Sequence, residues 1–160
     1  MTAHAHRWKA NHRVPPHDAP PQLLDVADPE RTRWLELPAH RSSVRVARGF
    51  AGKGLAAWRL PVDLAADAVL LVSELVTNAV RHTHSARILC GIGLVAATCL
   101  RLEVHDHGHV ARSLPSCEPG PEDESGRGLL LVQAIAGNWG VDRSKLTGGN
   151  VVWVTMTTPS

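Results

Sequence analysis

Three polar side chains that could do chemistry recur at helical spacing in the middle of the chain. Glu74, Asn78 and His82 are each four residues apart, so in an α-helix they would form one stripe along one side. An asparagine amide oxygen is a suitable ligand for a hard cation such as Mg²⁺, and a glutamate can orient or deprotonate an attacking group. The stripe indicates a site for a polar ligand. A solvent-exposed face with three polar residues is the alternative, and these residues alone leave both open.

The segment that contains the stripe has the pattern of a half-buried helix. Asp67–His82 has no glycine or proline, and Asp63 is placed to cap the helix at its start. The apolar residues recur at the spacing of one helical face, and they are Ala68, Leu71, Val72, Leu75, Val76 and Ala79. The sequence therefore predicts a helix with one buried side and the polar stripe beside it.

A second candidate site residue, Asp106, follows a pair of predicted strands. Apolar residues alternate at Ile88, Cys90, Ile92 and Leu94, and again at Leu100, Leu102 and Val104, which predicts an antiparallel hairpin. A carboxylate at a strand end can accept a hydrogen bond from an exocyclic amine such as that of adenine. Gly108 would let a flat ring approach the backbone. Taken alone, Asp-x-Gly more often marks only a turn.

Two glycines open a second apolar helix further along the chain. Gly126 and Gly128 lie at the start of a helix predicted for 128–138, where free backbone N–H groups can bind phosphate oxygens. Arg127 could add a phosphate contact. The long segment 110–125, without periodicity, is typical of a lid or a binding loop. The glycine pattern is neither a Walker loop nor a dinucleotide fingerprint.

The remaining elements complete a two-layer α/β arrangement. They are a strand at 33–38, a helix from Ser42 or Ser43 to about Trp58, and two strands at 139–143 and 150–157 that a turn at 147–149 joins. This order predicts an α+β sandwich in which three helices cover one face of a mixed, mostly antiparallel sheet, with a lid loop.

Length and composition favour one folded domain at residues 31–160. Residues 1–30 are rich in proline and histidine and have few large apolar groups, which predicts a disordered leader. The formal net charge is +2 with scattered basic residues, so no direct contact with nucleic acid is expected. No apolar run reaches the roughly 20 residues that span a bilayer, and no signal peptide is visible. Three cysteines without paired spacing favour a cytoplasmic protein without disulfides.

Taken in order, these segments resemble the ATP-binding domain shared by histidine kinases, type II topoisomerases, heat-shock chaperones and mismatch-repair ATPases. Within that group the chain is most similar to the small anti-sigma-factor serine kinases of bacteria. The segments E-L-V-T-N-A-V-R-H, V-H-D-H-G-H and G-R-G-L-L-L-V resemble the N, G1 and G2 boxes, and G-G-N-V-V-W-V resembles the closing strand. The resemblance covers about residues 34–156.

The resemblance implies a role for each candidate residue. Asn78 would bind Mg²⁺ and Glu74 would be the general base that activates a protein serine. Asp106 would bind the adenine amine with Gly108 beside the ring, and His82 would lie near the nucleotide. The positions that would close on the phosphates are Gly126, Arg127, Gly128 and Leu129.

For the whole protein, the resemblance implies a Mg-ATP-dependent serine protein kinase with two protein partners. One is a sigma factor that it holds inactive, and the other is an antagonist protein whose serine accepts phosphate. A homodimer is also implied. The alternative is a regulator without catalysis that works by protein contact only. It is favoured by His109 at the second glycine of the G1 box and by Val151, where relatives often have a threonine that helps to bind adenine.

Overall fold

The fold is an open antiparallel sheet with helices on one face. The computed structural model describes residues 19–24, 28, 30–96, 99–108, 132 and 134–157. Its elements are β1 (Gln22–Leu23), β2 (Thr32–Pro38), α1 (Ser43–Ala57), α2 (Val62–His82), β3 (Arg87–Ala96), β4 (Cys99–His105), β5 (Asn138–Arg143) and β6 (Asn150–Thr157). The six strands have the order β1-β2-β3-β4-β6-β5, and every paired strand is antiparallel. The predicted α+β class is confirmed.

Alternating side chains give the sheet two different faces. The predicted hairpin forms, with Cys90 opposite Val104 and Ile92 opposite Leu102. Their side chains belong to the core, which lies between the sheet and both helices and includes Leu35, Leu37, Ile88, Leu100, Val154 and Met156. Because side chains alternate along a strand, the residues between them point to the opposite face. That second face includes Trp34, Glu36, Glu103 and His105.

Helix α2 supports the stripe, but it begins differently from the prediction. Its buried residues are Leu64, Ala68, Leu71, Val72, Leu75, Val76 and Ala79, which confirms the predicted apolar side. The N-cap is Pro61, with φ −53° and ψ 141°, and no side chain caps the helix. The prediction that Asp63 is the cap was therefore wrong. Asp63 lies in the first turn, where a carboxylate interacts favourably with the positive end of the helix dipole.

A short strand precedes the predicted start of the domain. Gln22 and Leu23 pair with Glu36 and Leu35 at the edge of the sheet. This pair lies within residues 1–30, the segment for which the sequence predicts a disordered leader. Residues 1–18 lie outside the described part.

The third predicted helix is described only at a few positions. Val132, Ala134 and Ile135 have helical backbone, and Asn138 already belongs to β5, so the predicted end of that helix at Asn138 was wrong. Val132 is buried and Ile135 packs against the core. The segment 110–125, which is predicted to be a lid or a binding loop, and the residues Gly126 to Leu129 lie outside the described part. Within the described residues, no helix is long and apolar enough to cross a membrane.

Candidate functional site

Asp106 is a buried carboxylate held in a fixed orientation at the end of β4. Its backbone N–H donates to the carbonyl oxygen of Asn150 at 2.9 Å and so extends the pairing of β4 with β6. Its Oδ1 accepts three N–H groups: the backbone N–H of Gly108 at 2.9 Å, that of Asn150 at 3.0 Å, and the Asn150 amide at 3.3 Å. Asp106 is only 3% exposed. Three donors on one oxygen leave the carboxylate little freedom to rotate.

The turn between β5 and β6, residues 144–149, packs directly on Asp106. The Thr147 hydroxyl donates to the Asp106 carbonyl oxygen at 2.5 Å and accepts the Gly149 N–H at 3.1 Å. A Cβ at Gly149 would lie 2.2 Å from that carbonyl oxygen, so only glycine permits this approach. Gly148 has a φ of +77°, which glycine adopts without strain. The predicted turn at 147–149 is confirmed.

Ser144 organises this turn from its first residue. Its Oγ accepts the backbone N–H groups of Leu146 at 3.1 Å and Thr147 at 3.0 Å. The same Oγ lies 2.7 Å from Nδ1 of His105, whose Nε2 lies 2.8 Å from Oε2 of Glu103. A polar chain therefore connects the second face of the sheet to the turn that holds Asp106.

The polar stripe lies on α2, the helix whose end adjoins the Asp106 loop. Glu74 and Asn78 are partly buried and His82 is exposed. Just after α2, the Ser85 hydroxyl accepts the backbone N–H of His107 at 3.1 Å, so the end of the helix adjoins the Asp106 loop. With a rise of 1.5 Å per residue, Asn78 is about 6 Å along the helix axis from His82.

Two titratable groups near Asp106 have shifted pKa values. Burial lowers the pKa of His107, although the charges of Glu36 and Asp106 oppose the shift, so a neutral imidazole is favoured there. Burial raises the pKa of Glu103, but its hydrogen bonds with His105 and Arg101 and the charge of Arg101 outweigh burial and hold the pKa below its ordinary value. The Glu103 carboxylate is therefore ionised at neutral pH.

The predicted residues fall into three groups. The structure brings Asp106 and Gly108 into direct contact, and α2 carries the stripe at the adjoining helix end. Residues Gly126, Arg127, Gly128 and Leu129 lie outside the described part, so their phosphate contacts stay predictions.

The residues that hold Asp106 were not predicted from the sequence. Asn150 was interpreted only as part of a turn and a core strand, although its amide contacts the carboxylate. Val151 pairs with His105 in the register of β4 and β6 and so shares the second face of the sheet. The position next to Asp106 is therefore Asn150 rather than Val151. The sequence did contain a signal for this, because the alternation of side chains along β6 places Asn150 and Val151 on opposite faces of the sheet.

The comparison with protein families decides where this arrangement belongs. Residues 37–156 match the model of the histidine kinase-like ATPase domain. The chain belongs to this family. No curated protein matches the chain.

Two solved structures are similar to the chain. The RsbU and RsbW domains of Rv1364c from Mycobacterium tuberculosis align with a TM-score of 0.57 and 21% identity, over 89% of this chain and 34% of that chain. The chain therefore spans about a third of that protein, and the likeness shows a shared fold. The histidine kinase domain of the blue-light activated histidine kinase from Erythrobacter litoralis EL346 is 28% identical over 61% of this chain and 46% of that chain, with a TM-score of 0.43.

The residues at the site fit the ATP that a domain of this family binds. An adenine amine needs an oriented acceptor, and the Asp106 carboxylate is buried and fixed by its three donors. A flat base needs room beside the backbone, and Gly108 has no side chain there. A hard cation needs an oxygen ligand, and Asn78 offers its amide oxygen on the adjoining helix.

Proposed function

We propose that this ATP-binding domain is a protein-serine kinase of the anti-sigma-factor type. Its substrate would be an antagonist protein with an acceptor serine, and its second partner a sigma factor that it sequesters in the cytoplasm. The observation that supports the proposal most is the immobilised Asp106 carboxylate beside the helix that carries Glu74 and Asn78. The motif likeness across the described core adds support for this branch of the family.

The nucleotide would be oriented from its base. Oδ1 of Asp106 is engaged by three N–H groups, and we assign Oδ2 to the adenine amine. A carboxylate rejects guanine, because guanine presents a carbonyl oxygen where adenine presents the amine. Asp106 therefore selects the base and fixes the position of the phosphates relative to α2.

The chemistry of transfer would rest on two residues of α2. When bound, Mg-ATP supplies the γ-phosphoryl group, and the metal neutralises phosphate charge. Asn78 would hold the metal through its amide oxygen. Glu74 lies one turn earlier on the same stripe, where its carboxylate would accept the proton of the attacking serine hydroxyl. Positioning and charge neutralisation account for most of the catalysis in phosphoryl transfer.

The test is phosphate transfer from labelled Mg-ATP to a serine of a candidate antagonist. We expect Glu74→Gln to reduce transfer by roughly 10²-fold or more while ATP binding persists, because only the base is lost. Asn78→Ala should reduce both transfer and Mg²⁺-dependent binding. Asp67→Asn is a matched control, since Asp67 is an exposed carboxylate on the same helix. Transfer that continues unchanged in Glu74→Gln would refute the role of that residue.

A regulator that binds protein partners without catalysis is the second candidate. His109 in place of the second glycine of the G1 box favours it. The other motivating position, Val151, lies on the second face of the sheet, which weakens this alternative. Phosphate transfer to any partner serine at a steady rate would eliminate it.

A further inference from the structure

We propose that Ser144 and His105 are positioning residues for recognition of the adenine base. They would act through the turn at 144–149, which holds Asp106. The inference rests on the proposed role of Asp106 as the acceptor of the adenine amine. Neither residue belongs to the stripe on α2 or to the glycine-rich segment at 126–129.

A hydroxyl can donate one hydrogen bond and accept two, and this determines the direction of each hydrogen bond that Ser144 makes. Its oxygen already accepts the N–H groups of Leu146 and Thr147, which occupy both of its lone pairs. The contact of 2.7 Å with Nδ1 of His105 must therefore use the hydroxyl proton. Nδ1 is the acceptor, so Nε2 carries the hydrogen and donates to Glu103.

The serine and the histidine of this hydrogen-bonded chain are buried, and all three of its members are oriented by contacts. His105 is 3% exposed and Ser144 is 5% exposed. The ring of Trp34 lies against His105, with centroids 5.6 Å apart, and Glu103 is also bonded to Arg101. A ring packed in this way presents Nδ1 to Ser144 at a fixed position. These hydrogen bonds therefore hold the turn at 144–149 in a fixed position relative to β4.

The turn at 144–149 holds Asp106 at two points. Thr147, whose N–H is bound by Ser144, donates its hydroxyl to the Asp106 carbonyl oxygen. Asn150 follows the turn and binds Oδ1 with its backbone and side-chain N–H groups. Without the Ser144 hydroxyl, the N–H groups of Leu146 and Thr147 lose their acceptor. The turn would then loosen and the carboxylate would sample other rotamers.

The arrangement Ser144–His105–Glu103 also has the composition of a hydrolase triad, but it does not suit nucleophilic attack. The hydroxyl is buried, and both its lone pairs and its proton are engaged within the protein. A nucleophile must present its oxygen to a substrate. Positioning is the role that the contacts support.

The test compares the affinities for ATP and GTP by calorimetry in two matched pairs of variants. Ser144→Ala removes the hydroxyl, whereas Ser144→Thr keeps it. His105→Gln keeps a donor near the position of Nε2 but has no acceptor at Nδ1, whereas His105→Asn keeps that acceptor. We expect Ser144→Ala and His105→Gln to lower the preference for ATP roughly fivefold to tenfold with little change for GTP. Ser144→Thr and His105→Asn should retain the preference.

Hydrogen exchange in the nucleotide-free protein provides an independent readout. We expect the amides of Leu146, Thr147 and Asn150 to exchange faster in Ser144→Ala and at the wild-type rate in Ser144→Thr. Parallel losses of ATP and GTP affinity in Ser144→Ala, or an unchanged preference for ATP, would overturn the inference alone. Wild-type protein that does not bind ATP, or does not prefer it to GTP, would overturn the inference together with the role of Asp106.

Discussion

At the scale of single residues, the orientation of Asp106 is set by its hydrogen bonds with neighbouring groups. Its backbone is bonded to Asn150 and Thr147, and its Oδ1 to Gly108 and Asn150. Each of these groups narrows the orientations open to the carboxylate. A base-reading group works best when it is held before the ligand arrives, because ordering it on binding would cost affinity.

Gly149 is the residue where this packing tolerates the least change. A methyl group there would lie 2.2 Å from the Asp106 carbonyl oxygen and 2.8 Å from Oδ1. We expect Gly149→Ala to lower the free energy of unfolding by about 1–3 kcal/mol and to weaken ATP binding, because the turn must move away from Asp106. Urea denaturation and calorimetry measure the two effects.

Gly49→Ala is the control for this substitution. Gly49 lies in α1, and a methyl group there would meet no atom of another element within 4 Å, so alanine should stabilise the helix by about 0.5–1 kcal/mol. If Gly149→Ala were as stable as wild type and bound ATP equally well, the close packing of the turn on Asp106 would be wrong.

The sequence predicted part of this site and missed part of it for a physical reason. Asp106 and Gly108 were predicted because a strand pattern ends immediately before them. Asn150 and Ser144 act through partners 44 and 39 residues away. Such contacts depend on the register between β4, β5 and β6, which alternation alone does not specify.

At the scale of elements, the two faces of the sheet have different roles. One face packs against α1 and α2, and its alternating apolar residues made β2, β3, β4 and β6 predictable. The other face holds polar groups paired with one another, such as Glu36 with Arg87 and Glu103 with His105. The two-residue strand β1 has too little sequence for any periodicity, so it escaped prediction.

Arg87 connects β1 and its preceding residues to the sheet. Its Nε donates to Glu36 at 3.1 Å, and its other nitrogens donate to the carbonyl oxygens of Ala19 and Pro20. Both side chains of the ion pair are almost fully buried. We expect Arg87→Met to cost roughly 3–5 kcal/mol in the free energy of unfolding, because Glu36 would remain buried without a cation.

The double variant Glu36→Leu with Arg87→Met separates the charge from the packing. It should recover most of that loss in urea denaturation, because no unpaired charge remains. In the double variant, as in Arg87→Met alone, the backbone amides at 22–24 should exchange hydrogen faster than in wild type, since the donors to Ala19 and Pro20 are absent. A single variant as stable as wild type would contradict the assignment of a buried ion pair.

The carboxylate of Glu103 predicts how stability depends on pH. Its folded pKa is below the ordinary value, so it stabilises the fold above its unfolded pKa, and this contribution is lost as pH falls through the folded pKa. We therefore expect Glu103→Gln to be less stable than wild type at neutral pH, with the difference shrinking on acidification. Urea midpoints of both proteins, from neutral pH to below the folded pKa of Glu103, measure this difference in stability. A difference that stays constant with pH would show that Glu103 acts through packing only.

At the scale of the whole molecule, the core lies on one face of the sheet, and the proposed nucleotide site lies at one end. The order of elements in the sequence predicted the α+β architecture, because each long element has a clear period. The end where α2, the Asp106 loop and the turn at 144–149 meet could only be assigned through the resemblance to a family. Periodicity places residues on faces, but it does not say which loops meet.

Calorimetric binding of Mg-ATP to wild type, Asp106→Asn and the control Asp67→Asn tests most directly whether Asp106 recognises adenine. With Oδ1 held by three N–H donors, an asparagine would keep its oxygen there and present its NH₂ group to the adenine amine. We expect wild type and Asp67→Asn to bind Mg-ATP alike and Asp106→Asn to bind roughly 10- to 100-fold more weakly. Equal binding by Asp106→Asn and wild type would show that Asp106 does not recognise the adenine amine.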